Sequence, residues 1–120
     1  MDIVTQIQQK FANPYDKPTD IIGLTETGRN IANSLLAIIN PKEICFFDEQ
    51  IKSDSTFHFL DFPDMLVKTE IMIFTVELSE SYYQYLAKLN PEVTIFIFKE
   101  LQNTIEALHE AGFEQNLVLL

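Results

Sequence analysis

Long apolar runs alternate along this chain with segments whose apolar residues recur at helical spacing. Three runs, over residues 44–47, 71–76 and 93–98, are largely apolar at consecutive positions, so both of their faces would be covered. Strands of this kind are typical of parallel sheets inside α/β layers. Between the runs, positions such as Ile31, Leu35 and Ile38 lie three or four residues apart, which predicts amphipathic helices.

The same pattern predicts the order of the elements. Helices are expected over residues 1–12, 27–40, 79–89 and 101–111, with a brief helix over 63–68. Ser79 is the expected N-cap of the helix that follows it, and Gly112 the residue that ends the last helix. Strands are expected at 21–23, 44–47, 57–61, 71–76, 93–98 and 117–120.

This order of elements predicts an α/β fold. We expect a single Rossmann-like, doubly wound domain, with a mainly parallel sheet of five to six strands and helices on both faces. The chain has 120 residues, which fits one domain. Residues 20–120 are assigned to that domain, and residues 1–19 to an N-terminal amphipathic helix and loop.

The charge balance argues against two classes of partner. The 18 acidic and 8 basic residues give a formal net charge of −10, which repels nucleic-acid phosphates and anionic lipid. No apolar run approaches the roughly 18 residues of a membrane span. We therefore expect neither nucleic-acid binding nor direct membrane insertion. A lone cysteine, Cys45, without a signal peptide fits a cytoplasmic protein.

One turn between a predicted strand and a predicted helix carries a nucleotide-binding pattern. It reads Gly23-Leu24-Thr25-Glu26-Thr27-Gly28 and resembles the dinucleotide fingerprint G-x-G-x-x-G, with Thr25 at the middle glycine position. Asp48 lies 20 residues after Gly28, at the end of the next strand, where an acid binds ribose hydroxyls. These residues are the candidate cofactor site, for NAD or an adenine nucleotide.

The residues of the same turn are also compatible with a domain that binds no cofactor. A Cβ at Thr25 crowds the space that a pyrophosphate fills, and Glu26 places negative charge at the helix N-terminus, where an anionic ligand would sit. Arg29 is the one basic residue nearby in sequence. The alternative is therefore a ligand-free Rossmann module that serves as a structural or protein-interaction domain.

The order of motifs resembles the N-terminal nucleotide-binding domain of TrkA-type potassium-transport regulators, the RCK domains. The opening turn and helix over 21–32, the strand ending at Asp48, the Leu89-Asn90-Pro91 turn and the Glu110-Ala111-Gly112 helix end carry the resemblance. Members bind NAD, NADH, ATP or ADP and dimerise to gate a transporter. The resemblance implies phosphate contacts at Gly23, Thr25 and Gly28, a ribose contact at Asp48, and a homodimer or protein partner.

Two other resemblances are more local. The glycine turn is similar to the first domain of Mur ligases, where such a turn holds a UDP-sugar, but no ATP-binding domain follows it. Residues 24–32 resemble a passage of winged-helix repressors, yet the 20 residues upstream cannot hold a helix-turn-helix.

Three functions follow, in decreasing order of support. The first is a regulatory domain that binds a nucleotide and acts through dimer or partner contacts. The second is the ligand-free module, with the final apolar strand free to pair across a dimer. The third is an enzyme, which has the least support because the sequence offers no set of nucleophile, base and metal ligands.

Overall fold

Within residues 2–51 and 57–120, which a computed structural model describes, six parallel strands form one sheet. Their spatial order is β3-β2-β1-β4-β5-β6, so the chain winds outward in one direction from β1 and then in the other direction from β4. This order is the doubly wound Rossmann arrangement. The strands are β1 (Thr19–Ile22), β2 (Ile44–Phe47), β3 (His58–Phe59), β4 (Ile71–Phe74), β5 (Thr94–Ile97) and β6 (Leu117–Leu119).

Helical segments connect the strands and cover both faces of the sheet. The α-helices are α1 (Ile3–Lys10), α2 (Glu26–Leu35), α3 (Phe62–Met65) and α4 (Gln102–Glu110). Tighter 3₁₀ turns span Pro14–Asp16, Pro41–Glu43, Glu80–Lys88 and Glu114–Asn116. A helical crossover between parallel strands places its apolar stripe on the sheet, and this supplies the layers of the fold.

Successive residues of a strand contribute to two separate hydrophobic cores, one on each face of the sheet. Side chains alternate between the faces of a strand, so Ile21 and Ile22 lie on opposite sides of the sheet. Ile22 belongs to a cluster with Phe62 of α3 and Leu108 of α4, on what we call the α3/α4 face. Ile21 belongs to a second cluster with residues of α1 and α2, on the α1/α2 face. The absence of polar alternation in the sequence reflects this two-sided burial.

The predicted fold class is confirmed, and several element bounds differ. The helix predicted over 27–40 ends at Leu35, and the strand predicted over 57–61 is only His58–Phe59. The segment predicted as an α-helix over 79–89 is a 3₁₀ segment. Ser79 stands at its N-cap position as predicted, but the Ser79 side chain makes no capping hydrogen bond. Instead, the Ser79 hydroxyl donates to the Glu49 carboxylate, a partner 30 residues away. Gly112 does end α4, with φ +95°.

The N-terminal helix α1 packs directly on the α1/α2 face. Ile7 is fully buried in the same cluster as Ile21 and Phe96 of the sheet. Asp2 caps this helix by accepting a hydrogen bond from the Thr5 N–H at 2.7 Å. None of the helices in the described residues has both the length and the apolar character needed to cross a membrane.

Candidate functional site

Gly23 allows the chain to turn sharply out of β1 at the carboxyl edge of the sheet. Its φ is +113°, a conformation that L side chains rarely adopt. A Cβ placed there would lie 2.4 Å from Thr75 Oγ1 and 2.8 Å from Val76 Cγ2. The Gly23 N–H donates to the Phe47 carbonyl at 3.0 Å, which ties the turn to the end of β2. Both backbone shape and close packing therefore require glycine here.

Gly28 lets α2 begin close beneath the same turn. A Cβ at Gly28 would lie 2.4 Å from the carbonyl oxygen of Gly23. This is the packing role of the third glycine in the dinucleotide fingerprint. The first and third glycine positions of the pattern thus keep their structural functions.

Thr25, at the middle position, caps the helix with its own side chain. Its Oγ1 accepts a hydrogen bond from the Gly28 N–H at 3.0 Å, and it lies 3.4 Å from the hydroxyl of Thr75. The Thr75 hydroxyl in turn lies 2.9 Å and 3.1 Å from the carbonyl oxygens of Ile22 and Gly23, to which it donates. A chain of hydroxyl groups therefore closes the glycine turn from within.

Asp48 follows β2 directly and binds the neighbouring loops through both carboxylate oxygens. Oδ2 accepts a hydrogen bond from the Leu24 N–H at 3.2 Å. Oδ1 accepts from the N–H groups of Gln50 at 2.8 Å and Ile51 at 3.3 Å. An ionised carboxylate has about four acceptor positions. Donors among residues 2–51 and 57–120 use three of them, which leaves one position on Asp48 for a further donor within that part of the chain.

These loops enclose a cleft of about 260 Å³ above β1, β2 and β4. Its apolar wall includes Phe47 and Val76, and its polar rim includes the carboxylates of Asp48, Glu49 and Glu77. Among the described residues that line it, none carries a positive charge. The cleft lies where the winding of the sheet reverses, between β1 and β4, which is the usual place for a ligand in open α/β sheets.

The loop after β4 forms the other side of the cleft and is anchored to α4. The Glu77 carboxylate accepts hydrogen bonds from the Thr104 N–H at 3.0 Å and from the Thr104 hydroxyl at 3.2 Å. The Leu78 N–H donates to Thr104 Oγ1 at 2.9 Å. The negative charge of Glu77 thus stands at the N-terminus of α4, which favours it electrostatically.

The structure brings only part of the sequence-predicted site to the cleft. Gly23 and Asp48 line it together. Leu24 packs toward the core of the α1/α2 face, while Glu26 and Thr27 lie exposed in the first turn of α2. Thr27 borders a separate groove between α1, α2 and the end of β6.

A buried acid in β1 was missed by the sequence analysis. Asp20 is 5% exposed on the α3/α4 face, and burial raises its pKa to about 7. Its Oδ2 contacts the Thr69 hydroxyl, and it lines a cavity of about 190 Å³ near the amino edge of the sheet. The neighbouring Cys45 thiol has its pKa raised to about 11 by burial, with Asp20 and Glu43 adding repulsion. The sequence shows an acid beside the apolar pair Ile21 and Ile22, but no local pattern shows that this acid is buried.

No group of three His, Cys, Asp or Glu side chains converges as a metal site in residues 2–51 and 57–120. The rim carboxylates of the cleft each have protein donors: Asp48 binds backbone N–H groups, Glu49 binds Ser79, and Glu77 binds Thr104. The cleft therefore combines an apolar wall with a rim of hydrogen-bonded carboxylates.

Solved structures show the same fold at low sequence identity. No protein-family model matches this sequence, and no curated protein resembles it significantly by sequence. A D-isomer specific 2-hydroxyacid dehydrogenase from Lactobacillus delbrueckii ssp. bulgaricus, in its NAD complexed form, superposes over 90% of this chain with a TM-score of 0.64 and 18% identity. An NAD-dependent formate dehydrogenase from Staphylococcus aureus, in complex with NAD, covers 95% with a TM-score of 0.66 and 15% identity.

A D-lactate dehydrogenase from Treponema pallidum covers 97% of this chain with a TM-score of 0.67 and 10% identity. The present chain spans only 37%, 36% and 41% of the three enzymes, respectively. Similarity at this level of identity establishes the fold, whereas function has to be argued from the residues of the site. The chain therefore has the Rossmann fold predicted from its sequence.

Proposed function

We propose that this domain binds an adenine nucleoside or nucleotide in the cleft between β1, β2 and β4, with the ribose held by Asp48. The observation that carries the proposal is the position of Asp48. It directly follows β2, the strand next to β1, it lines the cleft beside Gly23, and its Oδ2 accepts one hydrogen bond from the described residues, which leaves a second acceptor position there. A ribose hydroxyl is a donor that such an acceptor takes, as in dinucleotide-binding Rossmann domains.

The apolar wall offers a surface for the base. Val76 is half-buried beside the cleft and supplies most of this surface, while Phe47 is buried behind it against Phe62 and Tyr82. Small-molecule sites combine apolar walls with a few convergent polar groups, and this cleft has both. NAD is among the first ligands to test, because two of the superposed enzymes are solved with it.

Isothermal titration of the chain with adenosine, AMP, ADP, NAD and NADH tests this proposal. Asp48→Asn removes the charge and one acceptor oxygen. A hydrogen bond to a charged group contributes about 1.5–3 kcal/mol, so the Kd should rise about tenfold to a hundredfold. Glu92→Gln is the matched control, since Glu92 is exposed just before β5, at the opposite edge of the sheet. Equal affinities in wild type and Asp48→Asn would contradict the assignment.

A regulatory role is the second part of the proposal. The chain offers a candidate binding cleft, and its motif order resembles the RCK domains. A ligand that binds one conformation more tightly would shift a dimer or a bound partner between two states. Affinity for a partner that changes with added nucleotide would support this role.

A homodimer through β6 is the contact proposed for that role. β6 is an edge strand, and Leu119 on it is 58% exposed. Edge strands present unpaired backbone groups that pair readily with another chain. Sedimentation velocity should show a dimer in wild type that weakens in Leu119→Lys. A monomer at all concentrations would contradict this contact.

A further inference from the structure

Backbone N–H groups of the glycine turn, which bind the pyrophosphate in dinucleotide-binding domains, are here hydrogen-bonded to side chains of this chain. In dinucleotide-binding Rossmann domains, phosphate oxygens accept hydrogen bonds from backbone N–H groups at the helix N-terminus. Here the Gly28 N–H is bound at 3.0 Å by Thr25 Oγ1. The Leu24 N–H is bound at 3.2 Å by Asp48 Oδ2. Two donors of the turn are therefore directed to protein oxygens.

The Thr25 side chain is also held in place by more than its cap. Its hydroxyl lies 3.4 Å from the Thr75 hydroxyl, which donates onward to backbone carbonyls of β1 and the turn. Releasing Gly28 for a phosphate would require this chain of hydrogen bonds to open. At the middle position of the fingerprint, glycine leaves that space to the ligand, whereas Thr25 occupies it.

The carboxylates around the turn oppose a phosphate as well. Asp48, Glu49 and Glu77 line the cleft, and Glu26 stands in the first turn of α2. The phosphates of ADP or NAD would bring further negative charge to this rim. Like charges within a few ångströms disfavour binding, and salt screens that effect. The ribose position at Asp48 has no such conflict, because a hydroxyl donates without charge.

The size of the cleft agrees with a small ligand. Its volume of about 260 Å³ falls just below the roughly 300–1,000 Å³ of typical small-molecule pockets. The nucleoside end of a dinucleotide fits that description better than the whole molecule.

We propose that this site takes a nucleoside whose 5′ position carries no phosphate, and that it discriminates against nucleotides with a pyrophosphate. The inference rests on the proposed function, since it specifies the ligand of the same cleft. Thr25 and the acidic rim supply the discrimination, and Asp48 supplies the affinity for the ribose.

Competition titrations with adenosine, AMP, ADP and NAD test the proposal. At 50 mM salt, adenosine should bind at least tenfold more tightly than ADP or NAD, with AMP between them. At 500 mM salt the ratio should fall, because screening weakens the repulsion. A wild-type chain that binds ADP or NAD as tightly as adenosine would overturn the inference and leave the proposed function standing. A chain that binds none of the four would refute both.

Two substitutions at Thr25 distinguish the effect of the Thr25 side chain on the Gly28 N–H from the repulsion by the acidic rim. Thr25→Gly restores the glycine of the fingerprint and frees the Gly28 N–H, so the preference for adenosine over ADP should shrink at least threefold. Thr25→Ser keeps the capping hydroxyl and should behave as wild type. Glycine is a tolerated N-cap, so Thr25→Gly should remain folded, and its thermal unfolding checks this. An unchanged ratio in folded Thr25→Gly would overturn the role of Thr25.

Discussion

Replacing Asp20 by asparagine should change how stability depends on pH. The Thr69 hydroxyl contacts both Asp20 Oδ2 and the Met65 carbonyl, the latter at 2.7 Å. A hydroxyl has one hydrogen, and a carbonyl only accepts. Both contacts are satisfied when Thr69 donates to Met65 and a protonated Asp20 donates to Thr69. This geometry agrees with a pKa of Asp20 raised to about 7 by burial.

The size of the effect follows from the pKa difference between folded and unfolded chains. Asp20 has a pKa of about 7 when folded, against the ordinary 3.8. The folded state therefore binds more protons between these values, so its stability falls as pH rises through this window. The full difference corresponds to about 4 kcal/mol at 1.36 kcal/mol per unit. Between pH 5 and pH 8.5 the loss should be roughly 3 kcal/mol.

The asparagine side chain of the Asp20→Asn variant stays neutral at every pH, and its amide donates to Thr69 in place of the acid. Urea unfolding of wild type and Asp20→Asn at pH 5, 6, 7, 8 and 8.5 isolates this contribution, because the other groups are common to both chains. The cavity also contains Lys42, Glu43, Asp64 and Lys68 near Asp20 and Cys45. With a pKa raised to about 11, Cys45 stays a neutral thiol throughout this range.

Asp20→Asn should gain stability over wild type as pH rises, most steeply between about pH 5 and pH 6.5, and the gain should level off above the folded pKa of about 7. The control Asp61→Asn removes an exposed carboxyl that makes no capping hydrogen bond, so it measures what the loss of a surface carboxylate does by itself. A difference between wild type and Asp20→Asn that does not change with pH would refute the account of Asp20 as a buried neutral acid.

Four further substitutions probe the framework of the fold and of the site by urea unfolding. Gly23→Ala and Gly112→Ala both place a side chain at positive φ, which costs about 1–3 kcal/mol; Gly23→Ala should lose more, because only its Cβ meets atoms within 4 Å. Equal losses would contradict the close packing at Gly23. Leu108→Ala, in the core of the α3/α4 face, should destabilise by about 2–5 kcal/mol, and a smaller loss would contradict its full burial. Glu77→Gln should cost about 0.3–1 kcal/mol at low salt and less at high salt, since it removes a charge from the N-terminus of α4; a salt-independent loss would contradict that electrostatic role.

Local sequence patterns predicted the fold because the four central strands, β1, β2, β4 and β5, are covered on both faces. The runs at 44–47, 71–76 and 93–98 contain β2, β4 and β5, and the helical segments between them fix the crossovers. The glycine turn could also be predicted, because the strand-to-helix geometry requires Gly23 and Gly28 whether or not a ligand is present. The glycine pattern therefore indicates the backbone shape of the turn and does not by itself indicate a cofactor.

The remaining features depend on partners far away in the sequence. Asp20 is buried because α3 and Thr69, 49 residues later, close over it. The Ser79 hydroxyl donates to Glu49, 30 residues earlier, and not to the segment that it was expected to cap. The Glu77 carboxylate accepts from Thr104 at the start of α4, 27 residues later. Each contact joins loops that only the assembled sheet brings together, so no local pattern contains it.

Chemical-shift mapping with adenosine tests the central claim most directly. In ¹H–¹⁵N spectra of the labelled chain, adenosine should shift the amides around the cleft, those of Gly23, Asp48 and Val76 among them. Asp48→Asn should abolish these shifts at the same adenosine concentration. Shifts confined to other surfaces, or unchanged in Asp48→Asn, would contradict a nucleoside site at the carboxyl edge of β1, β2 and β4.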